Sequence, residues 1–375
     1  MARMKRPIWL SALLALAACA APTSPADGVA PTKPFAIAAG KPAPARGDEP
    51  HLRNVRQLTF DGENAEAYWS HDGTKLIFQR RDASMPADQI YVLDLATGQQ
   101  TRVSAGTGRT TCAYFLQGDR RVVFGSTHHT GDAPPVVKMT GRGYEWAVHQ
   151  EYDIFSAKPD GSDPVQLTKT TGYDAEATVC PVTGDIVFTS VRDGDLELYT
   201  MAADGSNVKR VTNRPGYDGG AFFSHDGTKF VLRSAFPKDD KQAAENATLL
   251  TQQIVRPSNM EICVCDRDGG NFRQITKNGA ANFAPFFLPG DKKILFASNM
   301  KGMEQAAKTG DRSAARRFNL FLVNADGSGL EQVTFSEEFD SFPMFSPDGK
   351  HLVWASNRYH ARDGETNLFV AEWVD

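Results

Sequence analysis

The sequence repeats one unit of two short apolar strands joined by a tight polar turn. The clearest copy covers residues 339–358, FDSFPMFSPDGKHLVWASNR, and it turns at Pro347-Asp348-Gly349. Variants of the unit occur at residues 64–78, 110–126, 174–190, 218–234 and 282–298. Six copies of one short unit are typical of an architecture in which similar units are arranged side by side.

Each copy is followed by a third strand, a second turn and a fourth strand. The second turns are the Asp-Gly pairs that begin at residues 160, 204, 268 and 326, with Thr97-Gly98 in the first copy. Asp-Gly between two β-rich runs favours a hairpin, because both residues adopt positive φ at low cost. Four antiparallel strands in each of six units predict an all-β, six-bladed β-propeller.

The two ends of the repeat predict how the ring closes. Residues 53–59, RNVRQLT, have the pattern of a fourth strand with no unit before it, and the last copy stops after its third strand at residues 366–371. Pairing these segments would complete the last blade and cover an exposed sheet edge. We therefore expect one closed domain over residues 51–375, with the N-terminal strand inside the C-terminal blade.

Residues 1–19 have the pattern of a bacterial lipoprotein signal. Basic residues precede an apolar run over residues 8–18, which is too short to cross a bilayer as a helix. The segment Leu16-Ala17-Ala18-Cys19 resembles a lipobox, which implies cleavage before Cys19 and lipidation of this residue. A conventional signal peptide with a cysteine near its cleavage site is the alternative interpretation.

Residues 20–50 are rich in Ala and Pro and poor in large apolar side chains. A segment of this composition cannot bury a core, so we expect a disordered tether between the lipid anchor and the propeller. Together with the signal, it predicts a protein anchored in the bacterial cell envelope, in the outer membrane and facing the periplasm.

The charge argues against one class of partner, and the cysteines leave one disulfide open. The formal net charge is −4 at pH 7, so the chain lacks the basic surface that nucleic acids require. We expect a monomeric propeller. Cys112, Cys180, Cys263 and Cys265 follow the lipobox, and a disulfide between Cys112 and Cys180 is one option that the sequence leaves open.

The repeat resembles that of the TolB-like propeller family. The resemblance rests on Ser346-Pro347-Asp348-Gly349-Lys350, on similar turns after Ser70 and Ser224, and on Asp204-Gly205-Ser206 with its closing Val-Thr pair. It implies the fold but no single activity, since this repeat serves binding proteins, peptidase lids and polysaccharide lyases. TolB itself has an α/β domain before its propeller. Here only the Ala/Pro segment precedes residue 51, so we expect a lipoprotein form without that domain.

Propeller geometry predicts which end of the ring carries a site. The two tight turns of each blade share one end, whereas the second-to-third connections share the other end with the links between blades. Long insertions occur only in those connections, at residues 127–152, 236–259, 300–317 and 359–366. Long loops on a rigid scaffold are the usual place for binding. The binding residues expected at this channel mouth are Glu66, Arg109, His128, His129, Tyr144, Trp146, Tyr173, Asp174, Glu176, Asp218 and Asp340.

Several of these residues also have a structural interpretation. The aspartates at the starts of the first strands, Asp174, Asp218 and Asp340, could instead cap backbone groups of neighbouring turns. Tyr144 and Trp146 could stack on a ligand or fix their own loop to the propeller. His128 and His129 together with Glu176 are weak candidates for a divalent metal site, since adjacent histidines usually point in different directions.

Two functions are compatible with this sequence. The first is a non-catalytic envelope lipoprotein that binds or scaffolds a protein, peptide or glycan through the insertion-rich end. The second is a metal-assisted lyase or hydrolase that acts on a carbohydrate or peptide at the channel mouth. The sequence contains no Gly-x-Ser-x-Gly, His-Glu-x-x-His, phosphate-binding loop or Cys-x-x-Cys motif, which favours the first function and predicts no cofactor beyond a possible divalent metal.

Overall fold

The described part of the chain forms six antiparallel sheets that are arranged as the blades of a propeller. The structure is a computed structural model, and it describes residues 36–44 and 46–375. The predicted signal and Cys19 lie outside the described residues. The predicted all-β, six-bladed architecture is confirmed.

The strands follow one another along the chain from blade 1 to blade 6. Two strands precede blade 1: β1 (Lys41–Pro42) and β2 (Leu52–Gln57). Blade 1 contains β3 (Glu63–Trp69), β4 (Lys75–Arg81), β5 (Gln89–Asp94) and β6 (Gln100–Arg102). Blade 2 begins with β7 (Thr110–Phe115) and β8 (Val122–Ser126), its insertion carries β9 (Trp146–Ala147), and it ends with β10 (Asp153–Ala157) and β11 (Val165–Gln166).

The other four blades repeat this order. Blade 3 contains β12 (Asp174–Val179), β13 (Ile186–Ser190), β14 (Glu197–Met201) and β15 (Lys209–Arg210). Blade 4 contains β16 (Tyr217–Phe223), β17 (Lys229–Ala235), the insertion with α1 (Asp240–Thr251) and β18 (Ile254–Val255), then β19 (Glu261–Asp266) and β20 (Arg273–Gln274). Blade 5 contains β21 (Asn282–Phe287), β22 (Lys293–Ser298), the insertion with α2 (Met300–Thr309), then β23 (Asn319–Asn324) and β24 (Glu331–Gln332). Blade 6 begins with β25 (Asp340–Phe345), β26 (His351–Ser356) and β27 (Asn367–Trp373).

The innermost strand of every blade contacts the innermost strands of both neighbouring blades. The contacts run from β3 to β7, β12, β16, β21 and β25, and they return from β25 to β3. Nearly every side chain of these strands that points between two blades is buried, and the core contains large rings such as Trp69, Phe115 and Trp354. The apolar residues of the repeat therefore form one continuous core between the blades.

The tight turns are held by the Ser and Asp residues of the repeat. Ser70 Oγ donates a hydrogen bond to Asp72 Oδ1 at 2.7 Å and accepts one from the Lys75 N–H at 2.9 Å. Ser224 and Ser346 make the same bond to the Asp two residues later. The side chains thus satisfy polar groups within the turn, which explains why Ser-x-Asp-Gly recurs.

The Val-Thr and Leu-Thr pairs join the fourth strand of a blade to the third. The hydroxyl of Thr168 accepts a hydrogen bond from the Ile154 N–H at 2.9 Å. Equivalent bonds are made by Ser104, Thr212, Thr276, Thr334 and Thr59, one in each other blade. All six hydroxyl residues are buried, so each hydroxyl supplies the acceptor that water would supply to an exposed backbone N–H.

Pairing of β2 with β27 closes the ring. Leu52 lies opposite Trp373 and Gln57 lies opposite Phe369 in an antiparallel ladder. The buried Thr59 continues the contact, because its hydroxyl donates to Asn367 Oδ1 at 3.0 Å. The first and last parts of the propeller therefore share one sheet, as the sequence predicts.

The end of the predicted tether is part of the propeller. Residues 36–44 and 46–50 of the predicted tether are described by the structure. They contain β1, which pairs with β2 and adds a fifth strand to blade 6. Glu49 is buried and accepts hydrogen bonds from Arg358 at 2.9 and 3.0 Å. The expectation of a tether that extends to residue 50 is wrong for this part, because backbone pairing, one buried ion pair and the packing of Ile37, Ala39 and Ala43 against the core order it. The rest of the predicted tether lies outside the described residues.

The long insertions contain the two α-helices of the described chain. Asp239 caps α1, and its side chain accepts a hydrogen bond from the Gln242 N–H at 2.8 Å. No helix in residues 36–44 and 46–375 has the length and apolar character needed to cross a membrane. The four cysteines of this part of the chain are free thiols.

Candidate binding site at the channel mouth

A β-bulge interrupts the innermost strand of every blade at the same level of the channel. In each bulge one residue has φ between +46° and +59°, in the left-handed region. These six residues are Glu66, Cys112, Glu176, Gly220, Ala284 and Phe342. All six line the same small cavity on the channel axis. A bulge redirects a side chain, so the repeat places one variable residue per blade at this level.

Aromatic rings fill the channel on the side of the tight turns. Tyr68 and Phe222 belong to the opposite blades 1 and 4, and their ring centroids are 5.4 Å apart. Tyr114 lies 5.5 Å from Tyr68, and Phe286 lies 5.5 Å from Phe222. These contacts cross the axis, so a ligand can reach the bulge residues only from the insertion-rich end.

Above the bulge residues lies a cavity of ≈ 260 Å³ that is bounded by an aromatic wall. We use this term for Trp146, Phe283, Phe318, Phe339 and Phe342, whose rings follow one another around the cavity. Successive ring centroids are 5.1, 5.3, 5.7 and 6.3 Å apart. The wall comes mainly from blades 5 and 6, and it gives the cavity one apolar side.

The rest of the cavity lining is largely polar and is organised by Glu176 and Arg233. The two side chains form an ion pair, and each is only 10 % exposed. Tyr217 OH donates to Glu176 Oε2 at 3.0 Å and accepts from Arg233 Nη2 at 2.8 Å. Thr189 Oγ1 and the Gly220 N–H also donate to Glu176 Oε2, at 2.7 and 3.0 Å. Glu176 is therefore fully used by protein donors, and this carboxylate raises the pKa of Arg233 despite its burial.

Gly219 and Gly220 make room for this network. A Cβ on Gly220 would lie 2.4 Å from Arg233 Nη1, and a Cβ on Gly219 would lie 2.7 Å from the Tyr217 hydroxyl. The φ of Gly220, +57°, is shared by the side-chain-bearing bulge residues of the other blades, so it is the close contact with Arg233 that requires glycine here. The glycine pair is thus needed for the guanidinium to reach the channel.

Glu66 is the carboxyl group of this site that is not paired with a base. Its Oε2 atom is buried and has no hydrogen-bond partner among the described residues. Burial raises the pKa of Glu66 to about 7, the Cys112 thiol beside it lowers this pKa, and Glu176 raises it again. Burial also raises the pKa of the Cys112 thiol well above its usual range. The site therefore contains a carboxyl group that gains or loses its proton near neutral pH.

Two insertions meet above the cavity and hold its rim. β9, from the insertion of blade 2, pairs with β18, from the insertion of blade 4. Arg256 Nε donates to Glu145 Oε1 at 3.1 Å, and Arg256 Nη1 donates to Glu245 Oε1 at 2.6 Å. We call this two-stranded sheet with its ion pairs the rim sheet. It fixes Trp146 over Arg233, with the guanidinium carbon 5.2 Å from the ring centroid.

Five of the residues predicted from the sequence line the cavity: Glu66, Tyr144, Trp146, Tyr173 and Glu176. Trp146 packs on Phe283 and so also fixes its loop, whereas Tyr144 is 61 % exposed and contacts the edge of Trp146. The two residues therefore differ: Trp146 helps to fix its loop to the propeller, whereas Tyr144 is exposed to solvent at the channel mouth. As a binding role, the assignment of these five residues is a proposal.

The predicted aspartates at the starts of the first strands have structural partners instead. Asp174 accepts two hydrogen bonds from Arg192 Nη2, at 3.0 and 2.9 Å. Asp340 is bound by Arg358 in the same way, at 3.1 Å. Asp218 accepts from Ser234 Oγ at 2.6 Å, and burial raises the pKa of Asp218 to about 6. None of the three lines the cavity of the channel mouth in the described structure.

Arg109 and the two adjacent histidines lie outside the cavity lining as well. Arg109 pairs with Asp88 at 3.5 Å. His128 Nδ1 is 2.8 Å from Ser126 Oγ, and His129 Nε2 is 3.0 Å from Asp153 Oδ2. In residues 36–44 and 46–375, no three His, Cys, Asp or Glu side chains converge to hold a metal ion. The described structure does not bring His128, His129 and Glu176 together as a metal site, and each group has a separate protein partner.

The sequence analysis missed Arg233 and most of the aromatic wall. The position of Arg233 in the second strand is occupied by Gln79, Gly125, Thr189, Ala297 and Ala355 in the other blades. Only blade 4 has an arginine there, opposite a Gly-Gly pair. An alignment of the six repeats would have shown that only blade 4 combines an arginine with two glycines at these positions.

Comparisons with known proteins support the fold. No protein-family profile matches this sequence. "Dipeptidyl-peptidase 5" from Porphyromonas endodontalis is 22% identical over 237 residues, which cover 56% of this chain and 33% of that protein. "Protein TolB homolog" from Chlorobium luteolum is 28% identical over 140 residues, which cover 30% of this chain and 31% of that protein. The matches thus span 33% and 31% of the lengths of these two relatives.

Two solved structures have a similar arrangement of blades. TolB from Acinetobacter baumannii has a TM-score of 0.50 and 19% sequence identity, and the match covers 71% of this chain and 53% of that chain. Putative TolB from Agrobacterium tumefaciens has a TM-score of 0.51 and 16% identity, with coverage of 84% and 91%. At these identities the similarity concerns the fold alone.

Proposed function

We propose that this chain, a TolB-like six-bladed propeller, is a non-catalytic binding protein of the bacterial cell envelope. Its ligand is one residue or chain end of a peptide or protein, taken into the channel mouth. The observation that carries the proposal is a cavity of ≈ 260 Å³ that is open at the insertion-rich end and closed below by Tyr68 and Phe222. A blind cavity with one apolar and one polar side suits recognition of a single side chain.

The chemistry of the cavity favours binding over catalysis. Glu176 is saturated by four protein donors, and Arg233 is held by Glu176 and Tyr217. The raised pKa of Cys112 keeps this thiol protonated and weakly nucleophilic. Among the residues that line the cavity there is no histidine to act as a base for it. Glu66 alone remains, and a single carboxyl group is more useful for recognition than for a two-step proton transfer.

The cellular location belongs to the same proposal. Lipidation of Cys19 would anchor the chain in the outer membrane, and residues 20–35 would connect the anchor to blade 6. β1 and β2 are the two outermost strands of blade 6, which supports attachment of the anchor segment at the outer edge of this blade. Cys19→Ala should move the protein from the membrane fraction to the soluble periplasmic fraction. Equal membrane association of both forms would contradict the lipid anchor.

Site-specific photocrosslinking tests the binding site directly. A photoreactive phenylalanine analogue at Tyr144, which is 61 % exposed at the channel mouth, should give a discrete product in intact cells. The matched control is Val182, which is 48 % exposed in a tight turn of blade 3 at the other end. The product at Tyr144 should disappear when Phe342→Ala removes part of the aromatic wall. Equal products at both positions, or a product that survives Phe342→Ala, would contradict the proposed site.

A further inference from the structure

We infer that the channel mouth recognises a primary ammonium group of its ligand, on a lysine side chain or on a free chain N-terminus. The inference rests on the proposed binding function and specifies what the cavity selects. Three features carry it: the balance of charge in the cavity, the unpartnered oxygen of Glu66, and the aromatic wall that lines the same cavity.

The ionised site has an excess of one negative charge. Glu66 and Glu176 both line the cavity, and Arg233 supplies the one positive charge among the lining residues. Arg233 is already neutralised by its ion pair with Glu176. A ligand with one positive charge would therefore balance Glu66 and would leave the existing pair intact. Isolated charges in a buried site are costly, so this balance favours a cation.

One oxygen of Glu66 also lacks a hydrogen-bond donor. Its Oε2 atom is buried without a partner in the described structure, whereas Glu176 receives donors from Tyr217, Thr189, Gly220 and Arg233. A buried acceptor without a donor costs free energy that a suitable ligand can recover. An ammonium group offers three donors on a compact head, and one of them would satisfy this oxygen.

The aromatic wall of the same cavity can also stabilise a positive charge. The faces of aromatic rings attract cations through their quadrupole moment. The structure already uses this interaction, since the guanidinium of Arg233 lies over the rings of Trp146 and Tyr217 at 5.2 and 5.4 Å. Rings on one side and a carboxylate on the other form the usual environment for an alkylammonium group.

An anionic ligand fits the site less well. Only Arg233 could bind a carboxylate there, and one of its two terminal nitrogens, Nη2, already donates to Glu176 and Tyr217. Its Nε atom is buried and has no partner in the described residues, but a guanidinium that is already paired with Glu176 cannot offset repulsion by Glu66 and Glu176. The cavity therefore discriminates by charge against acidic side chains and a free C-terminus.

Binding titrations with short peptides test this inference. The probes are Ac-Ala-Lys-Ala-amide, its acetyl-lysine form, and Ala-Nle-Ala-amide with a free or acetylated N-terminus. At pH 8 the peptide with the preferred ammonium should bind at least about tenfold more tightly than its acetylated form. The first pair of probes reports on a lysine side chain, and the second pair reports on the α-amino group.

Variants of two glutamates on β3 connect the result to the site. Glu66→Gln keeps the shape of the residue and should abolish discrimination between the charged and acetylated probes. Glu63→Gln is the matched control, because Glu63 lies on the same strand, is half-exposed and pairs with Arg81 outside the cavity. It should behave like the wild type. Discrimination that survives Glu66→Gln, equal binding of charged and acetylated probes, or no binding of any probe would overturn the inference. If the crosslink at Tyr144 persisted in these cases, the binding function would stand without this specificity.

Discussion

At the residue scale, the site depends on what each blade places at its bulge. The six bulge residues share one backbone conformation but include two carboxylates, a thiol, a glycine, a methyl group and a phenyl ring. The sequence drew attention to Glu66 and Glu176 because they are acidic residues near the channel mouth. It did not indicate that one would be saturated and the other left without a donor, since this depends on Arg233 in a third blade.

The raised pKa of Glu66 predicts a pH dependence of stability. A carboxyl group with a higher pKa in the folded than in the unfolded state holds its proton more tightly when folded. Its contribution to the free energy of unfolding is therefore fully present below pH 4.5 and is lost as the pH rises to about 7. Glu66→Gln removes this loss, so the variant should gain in Tm relative to the wild type between pH 5 and pH 8. The difference at pH 8 should be on the order of 2 kcal/mol.

Thermal unfolding of the wild type, Glu66→Gln and Glu63→Gln over this pH range measures the effect. The same substitution at Glu63 should leave the pH profile unchanged, because its carboxylate pairs with Arg81 at the surface. Parallel profiles for the wild type and Glu66→Gln would show that the carboxyl group is not buried in the folded protein.

Gly220→Ala should disrupt the polar side of the cavity. The added methyl group would overlap Arg233 Nη1, whereas the alanine at the equivalent bulge of blade 5, Ala284, has a similar φ of +46°. We expect a loss of roughly 2–4 kcal/mol in the free energy of unfolding. Gly279→Ala is the matched control, since Gly279 has φ of +66° but nothing lies within 4 Å of the added Cβ. The difference between the two variants in denaturant titrations isolates the contact with Arg233, and equal losses would contradict it.

At the scale of elements, the rim sheet joins insertions from two blades that are not neighbours. β9 and β18 contain two residues each, so they have little stability of their own. The sequence located both insertions at the correct end, because their lengths and positions in the repeat are visible. It did not predict that they pair, since such short strands have no recognisable pattern and their pairing depends on the ring that brings them together.

Arg256→Met should loosen the rim sheet without unfolding the propeller. The substitution removes the hydrogen bonds to Glu145 and Glu245 and leaves the buried Glu145 side chain without its base. Trypsin should then cleave faster after Lys138 and Arg142, while the Tm should fall by no more than a few degrees. The control Lys301→Met removes a pair between half-exposed side chains on α2 and should not change this cleavage. Unchanged cleavage in Arg256→Met would show that the rim is held by other contacts.

At the scale of the whole molecule, the repeat pattern was sufficient to predict the fold. The number of blades, the order of strands and the pairing of both chain ends all follow from recurring turns and from two incomplete units. The boundary of the folded domain did not follow. Composition suggested disorder up to residue 50, but β1 is held through its backbone and through the carbonyls of Ala38, Ala39 and Gly40, which accept from Arg56. Amino-acid composition cannot predict hydrogen bonds that involve backbone groups.

Removal of β2 should open the ring. A chain that starts at residue 60 lacks the strand that pairs with β27 and exposes the edge of blade 6. We expect aggregation and loss of a single cooperative unfolding transition. A chain that starts at residue 36 retains β1 and β2 and is the control. Size-exclusion chromatography and calorimetry of both proteins give the answer, and a monomeric, cooperatively folded short form would contradict the role of this closure.

The extra strand on blade 6 also determines how the protein responds to mechanical tension. A pull on the chain before residue 36 acts first on Ala38 and Ala39, whose N–H groups donate to the Leu95 carbonyl, and then on β1, a two-residue strand at the edge of the sheet. β2 lies one strand deeper, and the segment between them is held by Glu49 on the buried Arg358. We therefore expect β1 and the residues before it to detach at a force that leaves β2 in place, so that stretching lengthens the connection before it opens the ring.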